Sequence, residues 1–213
     1  MARTFYYGSG SPYAWKVWLT LEHKQLDYDF KLLSFDRGDT RAPEFLAINP
    51  RGKVPTLVDD GLALWESSAV VEYLEERYPE RPLMPRDPAA RWLVRRLSHE
   101  ADNYFADASR KLRPFVFGGE PGAPEAIAAA KQHMADELAR FAGYLGDQEF
   151  LAGALSLADF ALNGHLRLLV RYDQRTPQLE LGALIPAPLR GWLDRVGALP
   201  YHDKTIPPHW RAW

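Results

Sequence analysis

Asn49-Pro50-Arg51-Gly52-Lys53-Val54-Pro55-Thr56-Leu57 runs from a loop directly into a strand-forming segment. A proline just before a strand is either an ordinary trans residue or a cis residue in a tight turn, because the X-Pro cis form costs only about 0.5–1 kcal/mol. In the cis case the Val54 N–H and C=O point outward, and an extended peptide can add to them as an extra strand. Thr56-Leu57-Val58 and Leu62-Ala63-Leu64 flank Asp59-Asp60-Gly61, which is a hairpin signal. Glu66-Ser67-Ser68 then opens a helix that runs to Tyr78, with Val70, Val71, Leu74 and Tyr78 inward and Pro79 as its stop. Free N–H groups at such a helix start suit a carboxylate, and Glu66 beside them suits an ammonium group. The plainer reading is a capped, charged helix start.

Upstream, Thr4 to Tyr7 is β-prone, and Ser11-Pro12 supplies a helix cap followed by proline at the first helical position. Ala14, Val17, Trp18 and Leu21 follow at i, i+3, i+4 and i+7, an apolar stripe. Residues 27–33 resume as a strand with Tyr28, Phe30 and Leu32 alternating, and Pro43 to Ile48 forms a short helix ended by Asn49-Pro50. The first half therefore reads β-α-β-α-β-β-α. Gly8-Ser9-Gly10-Ser11-Pro12-Tyr13 is not a dinucleotide fingerprint, since Tyr13 stands where a third glycine is needed. Gly52-Lys53 lacks the upstream glycine of a phosphate loop.

Downstream, Tyr78 to Pro88 is rich in proline, and only helical periods follow it. The expected organisation is a first domain over 1–79, a linker over 80–88 and a helical domain over 89–213. Asp87-Pro88 opens a helix with Leu93, Val94, Leu97, Ala101, Tyr104, Phe105, Ala108 and Leu112 on its stripe. Gly118-Gly119-Glu120-Pro121-Gly122 breaks the chain, and a second stripe comprises Ile127, Met134, Leu138, Phe141 and Leu145. Ser156-Leu157-Ala158-Asp159 is a capping box for a third helix, with Leu155 and Phe160 able to form a hydrophobic staple. A fourth helix carries Leu189, Trp192, Leu193 and Val196. The tail from Tyr201 to Trp213 has no periodicity that places it.

Composition narrows the function. The chain has 213 residues, 46% hydrophobic and 25% charged, enough for a sizeable core. A net charge of -2 argues against a nucleic-acid partner. The absence of cysteine removes disulfides, iron–sulfur clusters, a Cys-X-X-Cys centre and a cysteine nucleophile. Six histidines form no His-Glu-X-X-His pair, so a zinc protease is not expected. No apolar run approaches the roughly 18 residues of a membrane span, and the N-terminus lacks a signal-peptide core. A cytoplasmic protein without membrane association is the expectation.

Each of these signals is weak alone, but their order is informative. A strand leading into Ser-Pro-Tyr-X-X-Lys-Val, then Asn-Pro-Arg-Gly-Lys-Val-Pro-X-Leu, then Leu-X-Glu-Ser-X-X-Val-X-X-Tyr-Leu, then Ser-Leu-Ala-Asp-Phe within a helical half, resembles the soluble glutathione S-transferases. It is most similar to the serine-type classes (tau, theta and zeta-like), over nearly the whole chain and less so beyond about residue 172. The resemblance implies an α+β thioredoxin-like N-terminal domain followed by an all-α helical C-terminal domain. It also implies a homodimer, reduced glutathione as cosubstrate, no metal, and detoxification-type conjugation to a small hydrophobic electrophile.

Carried over residue by residue, the resemblance makes Ser11 the activating serine, since Lys16-Val17 stands where the serine-type group has Arg-Val. Val54, before Pro55, pairs its backbone with the cysteinyl part of glutathione. Glu66 and Ser67 hold the γ-glutamyl end, and Lys53 and Arg41 meet the glycine carboxylate. Ser9 and Tyr6 keep the activator assignment open, because tyrosine-type members place their tyrosine in the first strand, though aromatics at Tyr6 and Tyr7 also simply suit a strand. The electrophile is expected between the two domains, with Tyr13, Tyr104, Phe105 and Phe115 as candidates for an apolar wall.

The magnitudes allow a serine to suffice. A free thiol has a pKa of about 8.5, so about 3% is thiolate at pH 7, and lowering it by ~2 units needs ~2.7 kcal/mol. A hydrogen bond to a charged group supplies ~1.5–3 kcal/mol and a helix N-terminus ~0.3–1 kcal/mol. The same site serves peroxidase, dehalogenase, etherase or isomerase chemistry as alternatives, and a non-catalytic binding protein is a further one. The lack of cysteine disfavours the thiol-transferase branch.

Overall fold

The structure, a computed structural model, describes residues 2–118 and 122–210. The described residues of Met1–Leu83 and Pro200–Trp213 form one compact unit, and Met84–Leu199 supplies a second.

In the first unit the elements are β1 (Arg3–Gly8), α1 (Pro12–His23), β2 (Asp29–Leu33), α2 (Pro43–Leu46), β3 (Thr56–Asp59), β4 (Leu62–Trp65) and α3 (Ser67–Arg77). The sheet order is β2-β1-β3-β4. β1 and β2 run parallel, which requires the crossover that α1 provides, and the other pairs are antiparallel. This is the thioredoxin-like arrangement. Phe5 and Tyr7 face the core of buried Val17, Leu21, Val70 and Leu74. Tyr6 faces the other way, against Phe45 of α2 at 5.5 Å. β2 starts later than its sequence pattern suggests, and Phe30 and Leu32 remain substantially exposed. The cause is position: β2 is an edge strand paired only with β1.

Two buried ionic groups tie the elements together. Arg3 Nε lies 3.2 Å from Asp59 Oδ1, and Asp59 Oδ2 also accepts from Tyr78 and Tyr73. Lys24 Nζ pairs with Glu75 Oε1 at 2.7 Å and donates to the Tyr78 carbonyl, joining the ends of α1 and α3.

The tail belongs to this first unit as well. α9 (His202–Thr205) lies along α1. Trp15 Nε1 donates to Thr205 Oγ1 at 2.8 Å, Lys204 Nζ sits 2.7 Å from Glu22, and the Tyr201 hydroxyl is 2.8 Å from His23 Nδ1. The sequence boundary that assigns 89–213 to the helical domain is thus corrected for residues 200–210. Side-chain hydrogen bonds hold this short piece, and they leave no periodic signature.

The second unit contains α4 (Pro88–Glu100), α5 (Ala106–Phe117), α6 (Pro124–Leu145), α7 (Leu157–Arg175) and α8 (Ala187–Gly197). Asp87 caps α4 by accepting from Ala90 N–H at 2.8 Å. Between α4 and α5 the backbone takes one π-helical turn, Ala101–Phe105. That extra residue per turn rotates the stripe: Val94, Leu97, Ala101, Phe105, Ala108 and Leu112 are buried, but Tyr104, expected on the same face, is 64% exposed. Gly119, Glu120 and Pro121 of the expected chain break lie outside the described residues.

The capping box forms as expected and carries more than a cap. Asp159 is completely buried. It accepts from Ser156 N–H and Oγ–H, each at 2.9 Å, from Leu151 N–H at 3.0 Å and from Trp192 Nε1 at 2.9 Å. Burial pushes its carboxyl pKa up, against the four donors that favour the anion. One carboxylate therefore joins the start of α7, the loop before it and α8. Asp159→Ala orphans four buried donors. It is expected to lower stability by about 3–4 kcal/mol, beyond the ~0.5–2 kcal/mol of a cap alone. Urea unfolding measures the loss, and glutathione titration should stay within about twofold of wild type.

Candidate active site

β1 ends at Gly8, and a tight turn carries the chain into α1. Ser11 N–H donates to the Gly8 carbonyl at 3.0 Å, which closes that turn. Ser11 is the N-cap, and its Oγ accepts from Ala14 N–H at 3.3 Å. A hydroxyl that accepts through its lone pair keeps its hydrogen for another acceptor, so Ser11 presents a donor at the positive end of a 12-residue helix. The Tyr7 hydroxyl likewise accepts, from Gly10 N–H at 3.2 Å, but its ring lies in the core, and burial pushes its phenol pKa far up. Tyr6 packs on Phe45 across the sheet from α1.

The Val54–Pro55 peptide bond is cis. The ladder of β3 begins only at Thr56, opposite Tyr6 and Trp65, so the Val54 backbone lies outside it. A Cβ built on Gly8 would lie 2.7 Å from Val54 Cγ2. The Val54 turn therefore packs directly on the end of β1, beside the turn that presents Ser11.

Asn49 sets the shape of this loop. Its side chain is wholly buried. Nδ2 donates to the Lys53 carbonyl and to Thr56 Oγ1, each at 2.9 Å, and Oδ1 accepts from Arg51 N–H at 3.0 Å. Gly52 has a φ of +59°, and a Cβ there would sit 2.8 Å from the Thr40 carbonyl oxygen. The close approach puts the Lys53 and Arg41 segments side by side. Both side chains are exposed cations.

Glu66 joins β4 to α3 at φ +66° and ψ +103°, a conformation costing a non-glycine residue roughly 1–3 kcal/mol. Such strain concentrates at functional sites. Its side chain caps nothing, and its carbonyl accepts from Val70 N–H at 2.9 Å. The first amides of α3 have no intrahelical acceptors. Ser67 is buried at that helix start, with Glu66 exposed above it. Lys16, buried in α1, donates from Nζ to Ser68 Oγ at 3.1 Å and so fastens the first turn of α3 to α1. Thr56 opposite Trp65 places the start of α3 next to the Val54 turn. Every expected site residue in the first half thus lies on one end of the sheet: Ser11, Arg41, Lys53, Val54, Pro55, Glu66 and Ser67. No group of His, Asp and Glu suited to a metal occurs among the described residues.

The family model for the glutathione S-transferase N-terminal domain matches residues 10–77. A glutathione S-transferase from the Antarctic clam Laternula elliptica is 30% identical, with a TM-score of 0.85 over 100% of this chain and 95% of its own. The chain belongs to the soluble glutathione S-transferase family. Glutathione S-transferase 1 of Dianthus caryophyllus is 34% identical over 125 residues, 57% of this chain. That match spans about half of the carnation relative, 55% of its length. A glutathione transferase family member from Pseudomonas fluorescens, solved with two glutathione bound, shares the fold at a TM-score of 0.84 and 23% identity. The superposition covers 97% of this chain and 92% of that one. No described helix is long and apolar enough to cross a membrane.

Within this glutathione S-transferase fold, two supporting residues escaped the sequence reading. Asn49 was legible only as a turn residue before proline, although an asparagine there is suited to bond its own loop backbone. Lys16 marked a family offset, and its bond to Ser68 has no sequence signature. Asn49→Ala removes the loop's internal partner for three groups. It is expected to cost about 2–4 kcal/mol in urea unfolding. A loss under about 1 kcal/mol would mean that the loop closes without the side chain.

Proposed function

We propose that this chain is a glutathione transferase that ionises the thiol of bound glutathione through Ser11 and directs the thiolate at small hydrophobic electrophiles. The observation that carries the reading is the clustering at one sheet end of three features. These are the Ser11 hydroxyl with its hydrogen uncommitted, the Val54 backbone outside the β3 ladder, and the α3 start with Glu66. In this reading the cysteinyl residue pairs with Val54. The γ-glutamyl carboxylate meets the amides at Ser67, its ammonium pairs with Glu66, and the glycine carboxylate meets Arg41 and Lys53. The thiol proton leaves to solvent, and the Ser11 O–H holds the anion. The helix N-terminus beneath Ser11 adds a smaller favourable contribution. A cytoplasmic homodimer with a detoxification-type role completes the reading, on the strength of the family resemblance.

Turnover of glutathione with an aryl halide, a peroxide, an epoxide and an isothiocyanate identifies the electrophile class. Ser11→Ala should lower kcat at pH 7 by roughly 10–100-fold, matching ~1.4–2.7 kcal/mol of lost anion stabilisation. The sign with pH follows: without the donor the thiol pKa returns toward ~8.5, so activity recovers in part as pH rises toward 9. Full activity at pH 7 in Ser11→Ala would make Ser11 only a helix cap.

The γ-glutamyl contact has its own test. Glu66→Ala removes one charge-assisted bond, and the glutathione KM should rise by about 10-fold. An unchanged KM would move the γ-glutamyl end elsewhere.

A further inference from the structure

Residues 209 and 210 of the tail reach the same turn that presents Ser11. His209 Nδ1 lies 2.5 Å from Ser9 Oγ. On the other side of the ring, Trp210 Nε1 donates to His209 Nε2 at 2.8 Å. An indole N–H can only donate, so Nε2 must be the unprotonated nitrogen. A neutral imidazole then carries its hydrogen on Nδ1, and that hydrogen points at Ser9 Oγ. Ser9 therefore accepts from His209, and its own hydroxyl hydrogen is free for a further acceptor. This is the arrangement Ser11 has with Ala14 N–H, two residues along the same turn.

The contact is built into the tail. Trp15, fully buried in α1, holds the tail by its bond to Thr205, packs edge-on against Trp210 at 5.4 Å and lies tilted against His202 at 5.7 Å. Lys204 and Tyr201 anchor the same segment to Glu22 and His23. Gly10, at φ +82°, makes room for the imidazole: a Cβ there would lie 3.2 Å from His209 Cε1.

We infer that Ser9 is a second hydroxyl donor to the glutathione sulfur and that His209 is the positioning residue that turns its hydrogen toward that site. The inference rests on the glutathione-binding reading above and adds to it a role for the tail. Trp210 acts one step further out, by selecting the tautomer of His209. Together the two seryl hydroxyls share the sulfur's negative charge.

The test reads the ionisation of bound glutathione directly, by the ultraviolet absorbance of the thiolate against pH, so no electrophile has to be known. Ser9→Ala and His209→Phe should each raise the midpoint by about one pH unit, the shift expected for one lost bond to a charged acceptor. The double variant should shift no further than either single one, because His209 acts through Ser9. His209→Asn, which keeps an amide N–H near the Nδ1 position, should restore most of the wild-type midpoint. Affinity for S-methylglutathione, which cannot ionise, should stay within about twofold in all four variants. The inference falls if His209→Phe leaves the midpoint unchanged or still moves it when Ser9 is alanine. It falls equally if S-methylglutathione affinity drops in step with the midpoint shift, which would make His209 a packing residue. If the wild-type chain binds neither glutathione nor S-methylglutathione, the glutathione reading itself fails and the inference goes with it. Binding with an unmoved midpoint in His209→Phe removes the inference alone.

Discussion

The buried carboxamide of Asn49 holds the Lys53 carbonyl, the Thr56 hydroxyl and the Arg51 amide at once, and the loop between α2 and β3 has few other means of holding its shape. Pro50 and Pro55 have no N–H to give, and the backbone bond from Gly52 N–H to the Asn49 carbonyl, at 2.9 Å, closes only one turn of it. With Asn49 in place, Gly52 can press against the Thr40 carbonyl, which brings the chain segments of the exposed Arg41 and Lys53 side by side. The Val54 turn then lies against the end of β1, beside the turn that carries Ser11. A displacement of this loop would separate these cationic segments from the helix cap. Both must be set within fractions of an ångström for one small ligand to touch them together.

The features legible in the sequence were those that local chemistry writes into neighbouring residues. Ser11 before Pro12, Asp87 before Pro88 and Ser156 three residues before Asp159 each cap the helix expected of them. The hairpin around Asp60-Gly61 forms with the predicted flanks, and the inward stripe of α3 is buried in full. What escaped was non-local or a change of phase. Tyr104 lies on the expected stripe by arithmetic, but one π-helical turn rotates it into solvent. The tail carries its binding information in Trp15, Glu22 and His23, residues almost two hundred positions away. Of the site, the residue types were legible through their order along the chain. Their convergence depends on Asn49 and Lys16, whose partners only the fold reveals.

Lys16 and Asp159 show one device used in both units. Each is a fully buried polar side chain that fastens the first turn of a helix to a neighbouring element. Helix starts need this more than helix interiors, because their first amides have no internal acceptors and fray unless something holds them. In the second unit the acceptor is internal, so the start of α7 is closed. In the first unit Lys16 grips Ser68, and the N-cap residue Glu66, in a strained backbone state, makes no side-chain cap. On the proposed reading, the contrast separates a helix start that finishes a fold from one that receives the γ-glutamyl carboxylate.

On the proposed reading, recognition is divided between groups of unequal strength. Arg41, Lys53 and Glu66 are exposed, so water screens them and each charge contact sits near the low end of what ionic bonds supply. The Val54 backbone and the amides at Ser67 are fixed in place by the fold and lose little freedom when a ligand arrives. A thiol lacking the flanking residues of the tripeptide would forfeit the weak outer contacts as well as the strand-like pairing. Selectivity for glutathione over free cysteine then comes from the sum of several modest terms spaced along an extended ligand, with the sulfur's position set by the fixed ones. The electrostatic work on the sulfur is correspondingly local. It belongs to hydroxyl hydrogens and a helix terminus within one turn of the chain, where a net charge of -2 spread over 213 residues contributes little.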